Sequence, residues 1–217
     1  MIFFLNFGSD FLQKTKIKRN VNDFAFAYDT TYVISAEHPQ CEALIFSNLE
    51  GILPQEKGKG NAGRKKRLYA DLITCFDIET TKLDRYKQSF MYVWQWQIGP
   101  KLTVVGRTWE SFIETQKIVK KAIPEGCHVV VFDHNLSYEF QFLRGIYPFD
   151  TEEVFCTRPH KVLKCDMWET FEFRCSMLHS NMSLDLYTKK MDVTHKKLKG
   201  ELDYSKKRYP WTPLNVK

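Results

Sequence analysis

Two carboxylates, Asp77 and Glu79, stand two residues apart in the stretch Phe76-Asp77-Ile78-Glu79-Thr80-Thr81. They close an apolar run, Leu72 to Ile78, that reads as a strand, and residues two apart on a strand project from one face. Two carboxylates on one face repel unless something positive lies between them. Hard Mg2+ or Mn2+ suits such oxygen donors, and two ions about 3.5 to 4 Å apart can activate water and stabilise a leaving oxygen in phosphodiester cleavage. Taken alone, an Asp-x-Glu at a strand end is more often a solvated edge. A second stretch changes that weighting: Phe132-Asp133-His134-Asn135-Leu136-Ser137-Tyr138-Glu139-Phe140-Gln141-Phe142 puts an acid, Glu139, on the first turn of a helix directly after an apolar strand, where it can face the first pair. Beside it, the Asn135 amide suits sugar or phosphate oxygens, and Tyr138 and Phe142 can stack on unpaired bases. The plainer reading is a capped helix start with core aromatics, and it is stronger for Phe142 than for Tyr138.

The elements that must position these groups are legible mainly after residue 67. Leu72 to Ile78, Phe90 to Ile98 and Leu102 to Val105 read as strands, the last two joined by Gly99-Pro100, which suggests an antiparallel meander. Thr108 opens a helix in which Trp109, Phe112, Ile113, Val119 and Ile123 recur at helical spacing, until Pro124 and Gly126 end it. His128 to Phe132 is the next strand, and Ser137 to Ile146 a helix with Phe140, Leu143 and Ile146 on one stripe. Val162 to Met167 and Phe171 to Ser176 are further strands. Ser183 can cap a short helix carrying Leu184, Tyr187 and Met191. The expected fold class is α/β (α+β), a mixed sheet flanked by helices. Residues 1–56 read as a small N-terminal appendage without a readable role, with strand-like stretches at Thr31 to Ser35 and Glu42 to Phe46. Residues 57–67 hold six positive charges and three of the ten glycines. They read as a mobile basic linker, either contacting phosphates or acting as a solvated hinge. Residues 68–217 form the domain that carries the chemistry.

The 217 residues suit one full domain plus an appendage, at roughly 100 to 200 residues per domain. Lys+Arg 32 against Asp+Glu 26 gives +6, and 43% apolar residues suffice for a core beneath a mildly basic surface. No apolar run approaches the ~20 residues that a bilayer demands, and Met1 to Leu5 is broken by Asn6 and Asp10 without a basic leader. The expectation is a cytoplasmic protein with no membrane partner. The six cysteines contain no Cys-x-x-Cys unit, so a disulfide framework is not expected. Cys156, His160, Cys165, Cys175 and His179 can be drawn as zinc ligands, but their spacing matches no usual zinc motif. Cys165 and Cys175 read better as small apolar strand residues.

The two acidic stretches resemble motifs of the 3′-to-5′ exonuclease domain of family B DNA polymerases, and more closely the protein-primed bacteriophage type. Phe76-Asp77-Ile78-Glu79-Thr80-Thr81 is similar to the first exonuclease motif, whose Asp and Glu bind the catalytic metals. His134-Asn135-Leu136-Ser137-Tyr138-Glu139 is similar to the second, in which an Asn and an aromatic hold the 3′ end and an acid follows; the family has Asp where this chain has Glu139. Leu198-Lys199-Gly200-Glu201-Leu202-Asp203-Tyr204 is similar to a Lys-containing segment whose Lys assists catalysis and whose Tyr supports it, against the bland reading of Lys199 as one lysine in a basic tail. Cys175-Ser176-Met177 resembles a Ser-Leu pair that holds single-stranded DNA, with Met177 in place of Leu.

The resemblance covers residues 68–215 and implies an RNase-H-like exonuclease fold. Asp77, Glu79 and Glu139 would bind two Mg2+ or Mn2+ ions, and Lys199 would assist. Thr80, His134, Asn135, Tyr138, Phe142, Ser176, Met177 and Tyr204 would contact DNA. The implied function is proofreading hydrolysis of a single-stranded 3′ end during DNA replication. The family's Tyr-x-x-x-Asp motif and its polymerase palm and fingers do not occur before Lys217. An exonuclease region without polymerase activity is therefore expected, with a separate polymerase chain as a partner that would complete it. Two alternatives stand beside it: a noncatalytic single-stranded DNA binder or split-polymerase subunit, and an unrelated RNase-H-like nuclease.

Overall fold

The computed structural model describes residues 25–28, 31–56, 67–83, 87–191, 193 and 206–213. In chain order its elements are β1 (Ala25–Tyr28), β2 (Thr31–Ser35), α1 (Cys41–Leu49), β3 (Pro54–Glu56), β4 (Leu68–Leu83), β5 (Gln88–Ile98), β6 (Leu102–Gly106), α2 (Trp109–Ala122), β7 (Cys127–Asp133), α3 (Leu136–Leu143), a 3-10 turn (Thr151–Glu153), β8 (Val154–Arg158), β9 (Lys161–Met167), β10 (Phe171–Cys175), α4 (Met177–Ser180) and α5 (Leu184–Lys190). Nine strands form one mixed sheet in the order β1-β2-β6-β5-β4-β7-β10-β9-β8, and β3 pairs with the start of β4. The expected antiparallel meander is β4-β5-β6. β7 joins β4 in parallel, and β10 joins β7 in parallel. The fold is thus mixed α/β. No helix of the described residues is long and apolar enough to cross a membrane.

Strand alternation decides what the sheet buries. On β4 the even residues Ala70, Leu72, Phe76 and Ile78 enter the core, and on β7 the odd residues Cys127, Val129 and Val131 do. The registers explain this match, since Thr74 of β4 pairs with Val131 of β7. α2 lays Phe112 and Val119 on this face. It starts where the sequence predicts, Thr108 Oγ1 accepting from the Ser111 N–H at 3.2 Å, and the structure adds Lys120 and Lys121 in the last turn. Phe112 is the hub of an aromatic cluster, with ring centroids 4.7 Å from Phe76, 5.3 Å from Trp94 and 5.9 Å from Trp96.

Several elements differ from expectation. Glu42 to Phe46 is helical, because Cys41, Ile45 and Leu49 bury one side of α1 at four-residue spacing. The described part of the expected appendage is continuous with the rest: β2 pairs in parallel with β6, and Ile34 and Ile45 lie in the common core. Of the basic linker only Arg67 is described, and it is ion-paired to Asp166 and Glu172. The β8–β9 hairpin, with most of β8 exposed, was not anticipated. All six cysteines are free thiols, and Cys165 and Cys175 are buried strand residues.

Close packing is most demanding at Gly106, the cross-strand neighbour of Trp94. A methyl group there would meet the indole ring directly, and that ring is held by the Trp94 Nε1 hydrogen bond to Thr108 O at 2.8 Å. Gly106→Ala is therefore expected to destabilise the chain by about 1–3 kcal/mol, lowering Tm by about 2–4 °C per kcal/mol. An unchanged Tm by calorimetry would contradict the packing described.

Candidate active site

Strand lengths create the notch in which the site residues meet. β7 pairs with β4 only as far as Cys75 opposite Phe132, and ends at Asp133, while β4 continues to Leu83. The chain turns through His134 and Asn135, the latter left-handed at φ +89°, a conformation that asparagine tolerates. α3 then begins beside the part of β4 that β7 leaves unpaired. The Tyr138 hydroxyl on α3 hydrogen-bonds Thr80 Oγ1 on β4 at 2.5 Å, joining the two acidic stretches. The site thus opens at the C-terminal ends of parallel strands, where mixed α/β sheets present side chains to ligands.

Asp77 and Glu79 lie within β4 rather than at its end, and both are half-buried. Just after Glu79 the β4–β5 register shifts: Glu79 faces Val93 and Thr80 faces Met91, so Tyr92 is an extra residue on β5. Asp77 Oδ2 accepts a 3.0 Å hydrogen bond from Nε2 of its cross-strand neighbour Gln95. Glu139 lies on the buried stripe of α3 with Leu136 and Leu143.

The structure adds a carboxylate that the sequence reading passed over. Asp133 is 1% exposed and its carboxyl lies against that of Glu139, close enough for the two to share a proton; no other donor among the described residues reaches either Asp133 oxygen or Glu139 Oε2. Its signal was present in the alternation, because Cys127, Val129 and Val131 are buried and the next inward position holds an acid. Burial, then the charges of Glu139 and Asp77, push the Asp133 carboxyl well above its ordinary range. Burial, then the charge of Asp77, push Glu139 up to about 8.

The same sheet shows how a buried acid is normally compensated. Glu172 on β10 is also buried, yet Arg67, Lys164 and Arg174 form ion pairs with it and the Tyr69 hydroxyl donates to it at 2.9 Å. Burial pushes its carboxyl up, but Arg174 and Lys164 outweigh that and hold it below the ordinary value. Among the described residues, no basic side chain contributes comparably at Asp133 or Glu139.

The remaining expected residues divide into four groups. His134 and Ser176 are brought together, with Nδ1 and Oγ 3.1 Å apart, and the other imidazole nitrogen lies 3.1 Å from Met182 O. The Ser176 N–H donates to Asp133 O at 2.7 Å, so β7 and the start of α4 are tied. Asn135 and Tyr138 are exposed, and Tyr138 and Phe142 form an aromatic pair 5.4 Å apart. Phe142 and Met177 are half-buried, which favours a packing role for at least part of each side chain. Lys199 and Tyr204 lie outside the described residues.

Among the described residues, no three His, Cys, Asp or Glu side chains are grouped so as to hold a metal ion by themselves. The donor chemistry nevertheless fits Mg2+ or Mn2+: the groups are carboxylates, and the buried oxygens of Asp133 and Glu139 have, among the described residues, no donor but each other. Mg2+ is commonly held by one or two carboxylates, with water and substrate phosphate completing its shell.

No family model and no curated protein matches the chain. Among solved structures it is similar to Phi29 DNA polymerase complexed with primer-template DNA and incoming nucleotide substrates, at 14% identity and TM-score 0.49, over 63% of this chain and 26% of that one. It is similar to the same polymerase complexed with single-stranded DNA, at 14% identity and TM-score 0.48, over 67% and 27%. The chain thus spans about a quarter of those polymerases' length.

The raised acids make stability depend on pH. A carboxyl that ionises near pH 4.5 when unfolded and near 8 when folded, as Glu139 does, stabilises the fold fully below about pH 4, and that contribution is lost as pH rises toward 8. In EDTA, urea unfolding should show lower stability at pH 8 than at pH 5. Asp133→Asn, which keeps the shape without the charge, should reduce the difference by at least about 1 kcal/mol. A wild-type stability that is flat across this range would contradict the assignment.

Proposed function

We propose that this chain is the exonuclease region of a family B DNA polymerase of the protein-primed type, which removes nucleotides from a single-stranded DNA 3′ end with Mg2+ or Mn2+. The observation that carries the reading is the meeting of the two acidic stretches at one notch: Thr80 and Tyr138 are hydrogen-bonded, while Asp77 is felt electrostatically by Glu139 and Asp133. The motif resemblance supports it independently, having been drawn from residues that are distant in sequence.

In this reading Asp77, Glu79 and Glu139 would hold the metal, which when bound supplies Lewis-acid stabilisation and a more acidic water. Gln95 orients the Asp77 carboxylate through its amide. Asn135, exposed at the mouth of the notch, donates its amide to sugar or phosphate oxygens, and Tyr138 offers its ring to the terminal base. His134 holds Ser176 near the strand's path rather than working alone. Lys199 would offset charge on the phosphate oxygens, with Tyr204 supporting it. A second reading, a noncatalytic single-stranded DNA binder, is favoured by one observation: no three ligating side chains are grouped among the described residues.

Cleavage of a 5′-labelled single-stranded oligonucleotide separates the two. The exonuclease reading expects a ladder shortening from the 3′ end, dependent on Mg2+ or Mn2+ and abolished in the Asp77→Ala, Glu79→Ala double variant. Binding with no cleavage, equal in both proteins, would refute it. The search would then turn to a polymerase chain that completes the site.

A further inference from the structure

Arg107 is 4% exposed, directly follows β6, and makes no ion pair among the described residues. Its hydrogen bonds go to three backbone carbonyls: Nε donates to Tyr92 O at 2.6 Å, and one terminal nitrogen donates to Tyr209 O at 2.8 Å and Thr212 O at 3.0 Å. Burying a guanidinium against carbonyls is costly, and burial lowers its pKa although the charges of Tyr92 and Glu37 act the other way. The arrangement therefore calls for an account.

Its three acceptors supply one. Tyr92 is the extra residue of the β5 bulge that faces Glu79 and Thr80. β6 ends at Gly106, opposite Trp94, so the ladder stops short of Tyr92 and Arg107 takes its carbonyl instead. The other two carbonyls belong to a C-terminal strap over the next part of the same strand pair. Tyr209 stacks on Phe90, 5.2 Å away, and on Trp211, 5.0 Å away, and the Arg208 N–H donates to Thr81 Oγ1 at 2.9 Å. Thr81 and Phe90 are themselves cross-strand partners. One side chain thus joins the bulge beside Glu79 to the strap that lies on the following pair. Bulges re-aim the side chains around them, and this one sits where a proposed ligand strand must keep its orientation.

We propose that Arg107 is a positioning residue for the carboxylate site, fixing the aim of Glu79 and Thr80 by clamping the Tyr92 bulge to the 209–212 strap. The inference rests on the functional reading above for its kinetic consequence, though not for its structural one. It touches neither substrate nor metal and acts through β5.

The test uses the full chain, with Arg107→Gln, Arg107→Lys and Tyr209→Ala. Hydrogen–deuterium exchange should rise about tenfold or more in peptides covering 79–82 and 90–93 for Arg107→Gln, while peptides from α2 and β10 stay unchanged. Mn2+ affinity and kcat should each fall about tenfold or more, the size typical when support behind a ligand is lost, with KM for DNA unchanged and partial recovery in Arg107→Lys. Exchange that rises uniformly across the sheet would overturn the proposal, making Arg107 a general stabiliser. Local exchange and Mn2+ affinity equal to wild type would also overturn it. Should Arg107→Gln fail to fold, Tyr209→Ala, which loosens the strap and keeps the arginine, must reproduce the local pattern; unchanged exchange at 79–82 in that variant would overturn the proposal. If the wild type cuts no DNA, the functional reading fails, while exchange and Mn2+ binding still decide the role of Arg107.

Discussion

Negative charge gathered in a place with little water is the constraint around which this molecule is arranged. Asp133 and Glu139 are withdrawn from solvent, Asp77 adds its charge to both, and no basic side chain among the described residues answers them as Arg67, Lys164 and Arg174 answer Glu172 on the same sheet. Burying carboxylates in this way is unfavourable unless they take up protons or meet a cation. At neutral pH the isolated fold carries this cost in its stability. A divalent cation would relieve it, so on the proposed reading the same arrangement that weakens the fold would favour cation binding.

The sheet creates that arrangement by unequal strand lengths. β4 runs past the end of β7, and the gap is filled by a helix instead of another strand. The parallel ladder therefore stops where the chemistry begins, and the reversal through Asn135 sets α3 beside the overhang. On the other side of β4, the β5 bulge, Gln95 and Arg107 govern how the overhanging residues are presented. The aromatic cluster around Phe112 anchors this construction from beneath, through Phe76 immediately before Asp77 and through Trp94 and Trp96 on either side of Gln95.

Much of this was legible in the residues themselves, because periodicity reports burial. The β4-β5-β6 meander, α2 with its Thr108 cap and the strand leading to His134 all follow from apolar spacing and turn residues. Glu42 to Phe46 misled because a short apolar run looks the same in a strand and a helix; only the wider spacing of Cys41, Ile45 and Leu49 distinguishes them. Asp77, Glu79 and Glu139 were visible as acids near strand and helix boundaries. Asp133 was passed over although it continues a clear inward alternation, since an acid is not expected at a core position. Gln95 and Arg107 could not have been found, because their importance comes from registers and a bulge that bring distant segments together. Lys199 and Tyr204 fall outside the described residues.

On the proposed reading, the carboxylates at the end of β7 and along β4 form a site whose charge a divalent cation neutralises. Thermal unfolding at pH 8, in EDTA and with Mn2+ in about hundredfold excess over its Kd, tests it most directly. Binding to the folded state alone should add about 2.7 kcal/mol, which for a chain of this size raises Tm by about 5–10 °C. The shift should shrink sharply in Asp77→Asn and in Glu139→Gln. A Tm that is the same with and without Mn2+, or a shift that survives both substitutions, would contradict the account.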